Sequence, residues 1–307
     1  MSRSAPTVVA FAGLGVMGLP MARNAAAAGF DVRAYDVDPA AAERAAAAGL
    51  RTVGALPEAL RAADVVVTML PDTPQVEEVV RGGEGVLAHC RPGTVLVDMS
   101  TVSPGATADL AAELAARGLA MVDAPVSGGV RGARAGELSI MAGGEAADVE
   151  RVRAVLSALG RVTHVGAAGA GQVVKACNQV AVALTIQAAC EAFTLGARFG
   201  VDPEALRAAL LGGAASSWVL EHLGPQMTGG DDSAGFRIAL QVKDLRIATE
   251  AASASGTPLP GAAGVLQLYL AAVAGGQAGD GNQALTRVYE RLAGVTIARR
   301  DPGAPEG

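Results

Sequence analysis

The chain has 307 residues, about twice the ~150 that serves as a soft prior for one domain, and so predicts two. Apolar residues make up 51% and charged residues 18%, below the ~25% of an average globular protein, which excludes a disordered or charge-driven chain. Aromatics at 3% and a net charge of −6 leave neither stacking surface for nucleic acid nor attraction toward phosphate backbone or anionic lipid.

At the N-terminus, Arg3 precedes an uncharged run from Ser4 to Ala22 with the outline of a secretion signal. Gly13, Gly15, Gly18 and Pro20 interrupt it and point to another use. Thr7–Ala12, Asp31–Tyr35, Asp64–Met69, Thr94–Asp98 and Ala120–Asp123 read as strands, with Leu138–Ala142 and Val162–Val165 following. Such short, continuous apolar runs suit a parallel sheet buried on both faces. Helix-like segments lie near 17–28, 39–48, 57–62, 74–81, 104–117 and 147–159, which gives the β-α-β rhythm of a doubly wound α/β domain.

Between the first strand and its helix stands Gly13-Leu14-Gly15-Val16-Met17-Gly18, a G-x-G-x-x-G in the strand-loop-helix setting where backbone amides and a helix N-terminus receive a pyrophosphate. The second strand closes on Asp36, near the position at which a carboxylate binds adenosine ribose hydroxyls. Asp38, directly before Pro39, reads instead as a helix cap. A carboxylate at 36 repels a 2′-phosphate and no Arg follows at 37–40, so NAD is expected, with NADP possible. This predicts a Rossmann-type domain over 7–168.

After Gly169 the strands stop, and a helical pattern of roughly 29 residues, about 43 Å long, runs from Gly171 to Phe199. It predicts a long interdomain helix leading into an all-α domain over 169–295, with further helices near 203–212, 240–255, 261–274 and 282–294. The uncharged run 251–279 is broken by Pro258 and Pro260, and its dense apolar part is too short for a bilayer, so no membrane span is expected. Residues 296–307 are expected to form a disordered tail.

On the long helix, Gln172, Lys175, Asn178 and Gln179 share one face through i,i+3 and i,i+4 spacing. A lysine among three amides on an otherwise apolar helix points to acid/base chemistry, since carbonyl reduction by hydride needs a proton delivered to the nascent alkoxide. Lysine starts near pKa ~10.4, so desolvation or nearby positive charge must lower it for this work. A polar helix start or a subunit contact is the structural alternative.

Four blocks in order resemble the β-hydroxyacid dehydrogenases: Phe11 to Gly18; Asp123-Ala124-Pro125-Val126-Ser127-Gly128-Gly129 followed by Gly132-Ala133, Gly136 and Leu138; Gly169-x-Gly171-x-x-x-Lys175-x-x-Asn178; and Lys243-Asp244-Leu245. The resemblance covers about residues 7–295. It implies Lys175 as general acid/base with Asn178 as its orienting partner. It implies Ser127, Gly128 and Gly129 as a nest for a substrate carboxylate, with Gln179, Phe236 and Lys243 on the substrate side. Leu70, Pro71, Thr101 and Lys243 are implied at the cofactor, beside Gly13, Leu14, Gly15, Val16, Met17, Gly18 and Asp36.

Within the family, Asn178-Gln179-Val180, the segment from Gly212 to Ser217 and Gly235-Phe236-Arg237-Ile238 resemble the tartronate semialdehyde (2-hydroxy-3-oxopropionate) reductases. The expected substrate is therefore a small hydroxy acid or its semialdehyde. A 3-hydroxyisobutyrate dehydrogenase or a glyoxylate/succinic semialdehyde reductase is the nearest alternative. Imine reductases usually lack the lysine at this helix position, and a non-catalytic dinucleotide-binding module has no use for it. His89, His164 and His222 lack ligand spacing, and Cys90, Cys177 and Cys190 form no C-x-x-C, so no metal is expected. A cytoplasmic protein that associates with itself as a dimer or tetramer completes the expectation.

Overall fold

The computed structural model describes residues 6–298. Two compact units divide between Lys175 and Ala176.

The first unit carries nine strands: β1 (Val8–Ala12), β2 (Asp31–Tyr35), β3 (Arg51–Thr52), β4 (Val65–Thr68), β5 (Val95–Asp98), β6 (Ala120–Asp123), β7 (Val126–Ser127), β8 (Leu138–Gly143) and β9 (Gly160–Gly166). They form one sheet in the order β3-β2-β1-β4-β5-β6-β8-β7, with β9 on β8. Pairing is parallel from β3 through β6. It turns antiparallel where β8 meets β6 and β7, and parallel again at β9.

Every residue of β4 and β5 is buried, because helices cover both faces. Alternate residues serve opposite cores. Val9, Phe11, Val65, Val67, Val95 and Val97 pack on one side with Met21, Ala25 and Val152. Ala10, Ala12, Val66 and Leu96 pack on the other with Leu60, Val80, Leu110 and Leu114. Each fully buried aliphatic side chain stabilises such a layer by roughly 1.5–3 kcal/mol before entropy is counted. Strand order reverses about β1, so the carboxyl ends of β1 and β4 flank the crevice where open α/β sheets receive ligands.

Helix starts follow the cap-proline pattern. Asp38 accepts from Ala40 N ahead of Pro39–Ala47, Ser103 from Ala106 N ahead of Pro104–Ala115, and Asp202 from Ala205 N ahead of Pro203–Leu211. The two-residue strands β3 and β7 and the short helices Val86–His89 and Gly129–Ala135 were not expected, being too brief for periodicity to register.

The second unit is helical. It holds most of the long helix Ala170–Arg198, then Pro203–Leu211, Trp218–His222, Gly224–Gly229, Ile238–Ala254, Pro260–Ala274 and Thr286–Ala293. The helices at 218 and 224 were not expected, and the helix expected from 282 opens as a 3₁₀ turn, Asn282–Leu285. The core gathers Ile186, Cys190, Phe193, Ile238, Leu245, Val265, Tyr269 and Leu285. The long helix is long and apolar enough to cross a bilayer by composition alone. Its residues Ala183, Ile186, Ala189, Cys190 and Phe193 belong to this core, and 28% of its most apolar stretch is buried.

Two expected limits are corrected. The division falls beyond 168, because the first turn of the long helix is tied to the sheet by the Asp123 carboxylate, which accepts from Gly169 N and Gln172 N. The tail does not begin at 296, because Ile297 is buried in the helical core and its N–H donates to Glu290 Oε1 at 2.7 Å. Residues 299–307 of the expected tail lie outside the described residues.

Candidate functional site

In the first unit the glycine loop leaves β1 with Gly13 at φ +99°, where an added Cβ would stand 2.4 Å from Met69 O. At Gly18 a Cβ would fall 1.9 Å from Gly13 O, so this glycine lets the helix Gly18–Ala27 close on the loop. Gly15 differs: a Cβ there meets nothing within 4 Å. Packing within the chain gives no reason for glycine at 15, whereas backbone approach by a ligand does. The amide groups at the head of a helix lack intrahelical partners and suit a phosphate.

Asp36 stands at the rim of this loop. Its carboxylate accepts from Leu14 N at 2.6 Å and from Asp38 N at 2.9 Å. Leu14, expected at the cofactor, has its side chain buried in the core and gives its N–H to Asp36. Val16 is exposed, and Met17 packs on the core as the residue before the helix. The loop, the open space at Gly15 and the anchored Asp36 fit a dinucleotide.

The carboxyl ends of β4 and β5 are cross-linked by side chains the sequence did not single out. Buried Asp98 accepts from Thr68 Oγ1 at 2.8 Å and Ser100 N at 3.1 Å, while Leu70 N donates to Ser100 Oγ at 2.8 Å. These bonds set the segments that carry Leu70, Pro71 and Thr101.

Asp123, at the end of β6 and beside Asp98 in the sheet register, is buried. It accepts from Gly169 N at 2.8 Å and Gln172 N at 2.9 Å. Burial pushes its carboxyl up to about 6, the nearby Asp98 charge adds to this, and the two amides oppose it. Gly143 and Gly171 leave the carboxylate its room, since a Cβ on either would come within 2.7 Å of its oxygens. Gln172, expected on the functional face, spends its side chain on the backbone: Oε1 accepts from Val102 N at 3.1 Å and Nε2 donates to Ser100 O at 2.9 Å. The first turn of the long helix is thereby fixed over the carboxyl ends of β5 and β6, on the same edge of the sheet as the glycine loop.

One turn on, Lys175 is buried and its Nζ donates to Val126 O at 2.8 Å. That carbonyl immediately precedes Ser127, Gly128 and Gly129, so the lysine head and the expected carboxylate nest come together. Gly128 at φ +129° and Gly129 at φ +59° turn the chain from β7 into the helix Gly129–Ala135.

In the second unit Asn178 Nδ2 donates to Gln179 Oε1 at 2.9 Å, and Gln179 Nε2 donates to Asp244 Oδ2 at 2.5 Å. Lys243 Nζ pairs with Asp244 Oδ1 at 3.0 Å. Three expected site residues are thus joined through Asp244, to which sequence reasoning gave no role. Phe236 is half-buried in the segment before the helix Ile238–Ala254, with its carbonyl accepting from Asn282 N. Among the described residues no group of three His, Cys, Asp or Glu is disposed to hold a metal ion. His222 stacks on Trp218, and His164 contacts the carbonyls of Gly144 and Gly166.

Residues 8–196 match the family described as the NAD binding domain of 6-phosphogluconate dehydrogenase, and 169–289 match the NAD-binding region of NADP-dependent 3-hydroxyisobutyrate dehydrogenase. The 2-hydroxy-3-oxopropionate reductase of Escherichia coli K12 is 41% identical over 94% of this chain and 99% of its own length. The NAD-dependent L-serine dehydrogenase of Pseudomonas aeruginosa is 39% identical over 85% and 90%. Among solved structures, the 3-hydroxyisobutyrate dehydrogenase of Mycobacterium tuberculosis with L-serine superposes with a TM-score of 0.85 at 37% identity, covering 92% of this chain and 98% of that one.

Proposed function

The chain belongs to the β-hydroxyacid dehydrogenases, NAD(P)-dependent oxidoreductases of small hydroxy acids, and on that premise we propose that it interconverts tartronate semialdehyde and glycerate with Lys175 as general acid/base. The observation that carries the reading is the Lys175 Nζ to Val126 O bond, which seats a buried ammonium beside Ser127-Gly128-Gly129.

When bound, the nicotinamide supplies or takes up the hydride. Lys175 delivers a proton to the carbonyl oxygen as it becomes an alkoxide, and removes it in the reverse direction. Val126 O holds the ammonium in place without competing for its charge. The Ser127 hydroxyl and the amides of the Gly128-Gly129 turn receive the substrate carboxylate. Asn178 orients the reacting groups by hydrogen bonding without titrating, and Gln179, Phe236 and Lys243 complete the substrate side. The loop Gly13 to Gly18 takes the pyrophosphate, with Leu70, Pro71, Thr101 and Lys243 as further cofactor contacts. Asp36 takes the ribose hydroxyls, which favours NAD over NADP.

The identity to the Escherichia coli reductase over nearly both full lengths supports tartronate semialdehyde as substrate. The likeness to the Mycobacterium tuberculosis enzyme favours 3-hydroxyisobutyrate as the second reading. A panel of tartronate, methylmalonate and succinate semialdehydes and glyoxylate, each with NADH and NADPH, decides between them. The expected ranking places tartronate semialdehyde with NADH first by kcat/KM, and any other leader overturns the substrate assignment.

Self-association through the helical unit and a cytoplasmic location belong to the same proposal. Leu195, Phe199 and Leu292 are exposed apolar side chains on that unit, and light scattering at micromolar concentration is expected to show at least a dimer.

A further inference from the structure

The hydrogen bonds around Asn178 have a direction imposed from Asp244. An ionised carboxylate only accepts, so the end of the Gln179 amide that meets it must be Nε2. Gln179 Oε1 then faces Asn178, and only Asn178 Nδ2 can donate to it. Lys243 Nζ forms an ion pair with the other Asp244 oxygen, Oδ1, at 3.0 Å.

We infer that Gln179 is a positioning residue which transmits the acceptor character of Asp244 to Asn178, so that the carboxamide of Asn178 turns its Oδ1 toward the reacting groups and its Nδ2 away. This rests on the proposed role of Asn178 in the reaction. An outward Oδ1 accepts from a hydroxyl or an ammonium and offers nothing to a carbonyl oxygen. The group it selects is therefore a donor: the alcohol of a hydroxy acid or the protonated amine of the general acid. A side chain of other length or polarity at 179 breaks the transmission even where Asn178 itself is retained.

The test replaces the amide by an acid of the same shape. In Gln179→Glu the carboxyl must keep its proton to donate to Asp244, and the adjacent carboxylate raises its pKa, with Lys243 opposing that rise. The kcat of the variant relative to the unsubstituted enzyme is expected to fall by about tenfold or more as pH rises from 6 to 9. When Gln179→Glu is combined with Asp244→Asn, the new amide at 244 donates to the ionised carboxylate at 179 and the extra fall disappears. A pH profile for Gln179→Glu parallel to that of the unsubstituted enzyme, or a fall that persists once Asp244→Asn is added, overturns the inference.

Should Gln179→Glu fail to fold, Asn178→Asp supplies the second measurement. An acceptor-only side chain at 178 meets Gln179 Oε1. Asp244→Asn frees Gln179 to turn round, and is expected to restore kcat about tenfold over Asn178→Asp alone. No restoration contradicts the inference. Lys175→Ala, run in parallel, separates the two claims: full turnover there removes the reaction assignment, whereas a dead Lys175→Ala with a flat Gln179→Glu profile removes only the role of Gln179.

Discussion

Asp123 holds Gly169 across 46 residues of chain, with the Gly169 N–H donating to carboxylate Oδ1 at 2.8 Å. With its second bond, from Gln172 N, this carboxylate fastens the first turn of the long helix to the end of β6 and so sets where Lys175 begins.

Asp123→Asn keeps one acceptor but turns an amide donor toward a backbone donor. Loss of a charge-assisted bond and exposure of an unpaired N–H together are expected to cost about 1–3 kcal/mol of stability near neutral pH. Urea denaturation measures this. A midpoint within error of the unsubstituted protein would show that the bond to the helix contributes nothing.

The same carboxylate gives a pH signature. Its folded pKa, about 6, lies above the ordinary value of 3.8, so between those values the folded state binds more protons than the unfolded one. Stability from this group therefore falls as pH rises through the window, by up to about 3 kcal/mol. Asp123→Asn removes the titration, so the stability difference between the two proteins should change with that slope between about pH 4 and 6. A constant difference across the window contradicts the assignment.

Gly15 and Gly18 separate ligand binding from packing. Gly15→Ala puts a methyl into open space at an ordinary backbone conformation, and is expected to leave Tm unchanged while weakening NADH binding by about tenfold or more. Gly18→Ala drives a Cβ into Gly13 O, and is expected to lower Tm markedly. Calorimetry with NADH titration reads both. Equal losses of stability in the two variants contradict the distinction.

Asp36→Ser removes the carboxylate that accepts from Leu14 N and Asp38 N. The ratio of NADPH to NADH kcat/KM is expected to rise by about tenfold or more, because the repulsion of a 2′-phosphate is lost. An unchanged ratio places the ribose elsewhere.

Local chemistry made much of this legible in the sequence. The glycine loop, Asp38 as a cap and the strand rhythm each involve residues within a turn of one another, and the structure forms them as the spacing suggests. What stayed hidden depends on distant partners. Asp123 is visible as the head of a motif, but nothing near it in the chain names Gly169 or Gln172. Gln172 shows the limit of periodicity: helical spacing puts it on the face of Lys175, yet its amide is spent on Ser100 O and Val102 N. Asp244 stands within a motif block that gives it no task, because its partner Gln179 lies 65 residues away.

If Lys175 moves the proton, Lys175→Ala assayed for both turnover and NADH affinity must separate chemistry from cofactor binding. The kcat of this variant is expected to fall by at least ~10² with NADH affinity nearly intact. Near-normal turnover in that variant would contradict it.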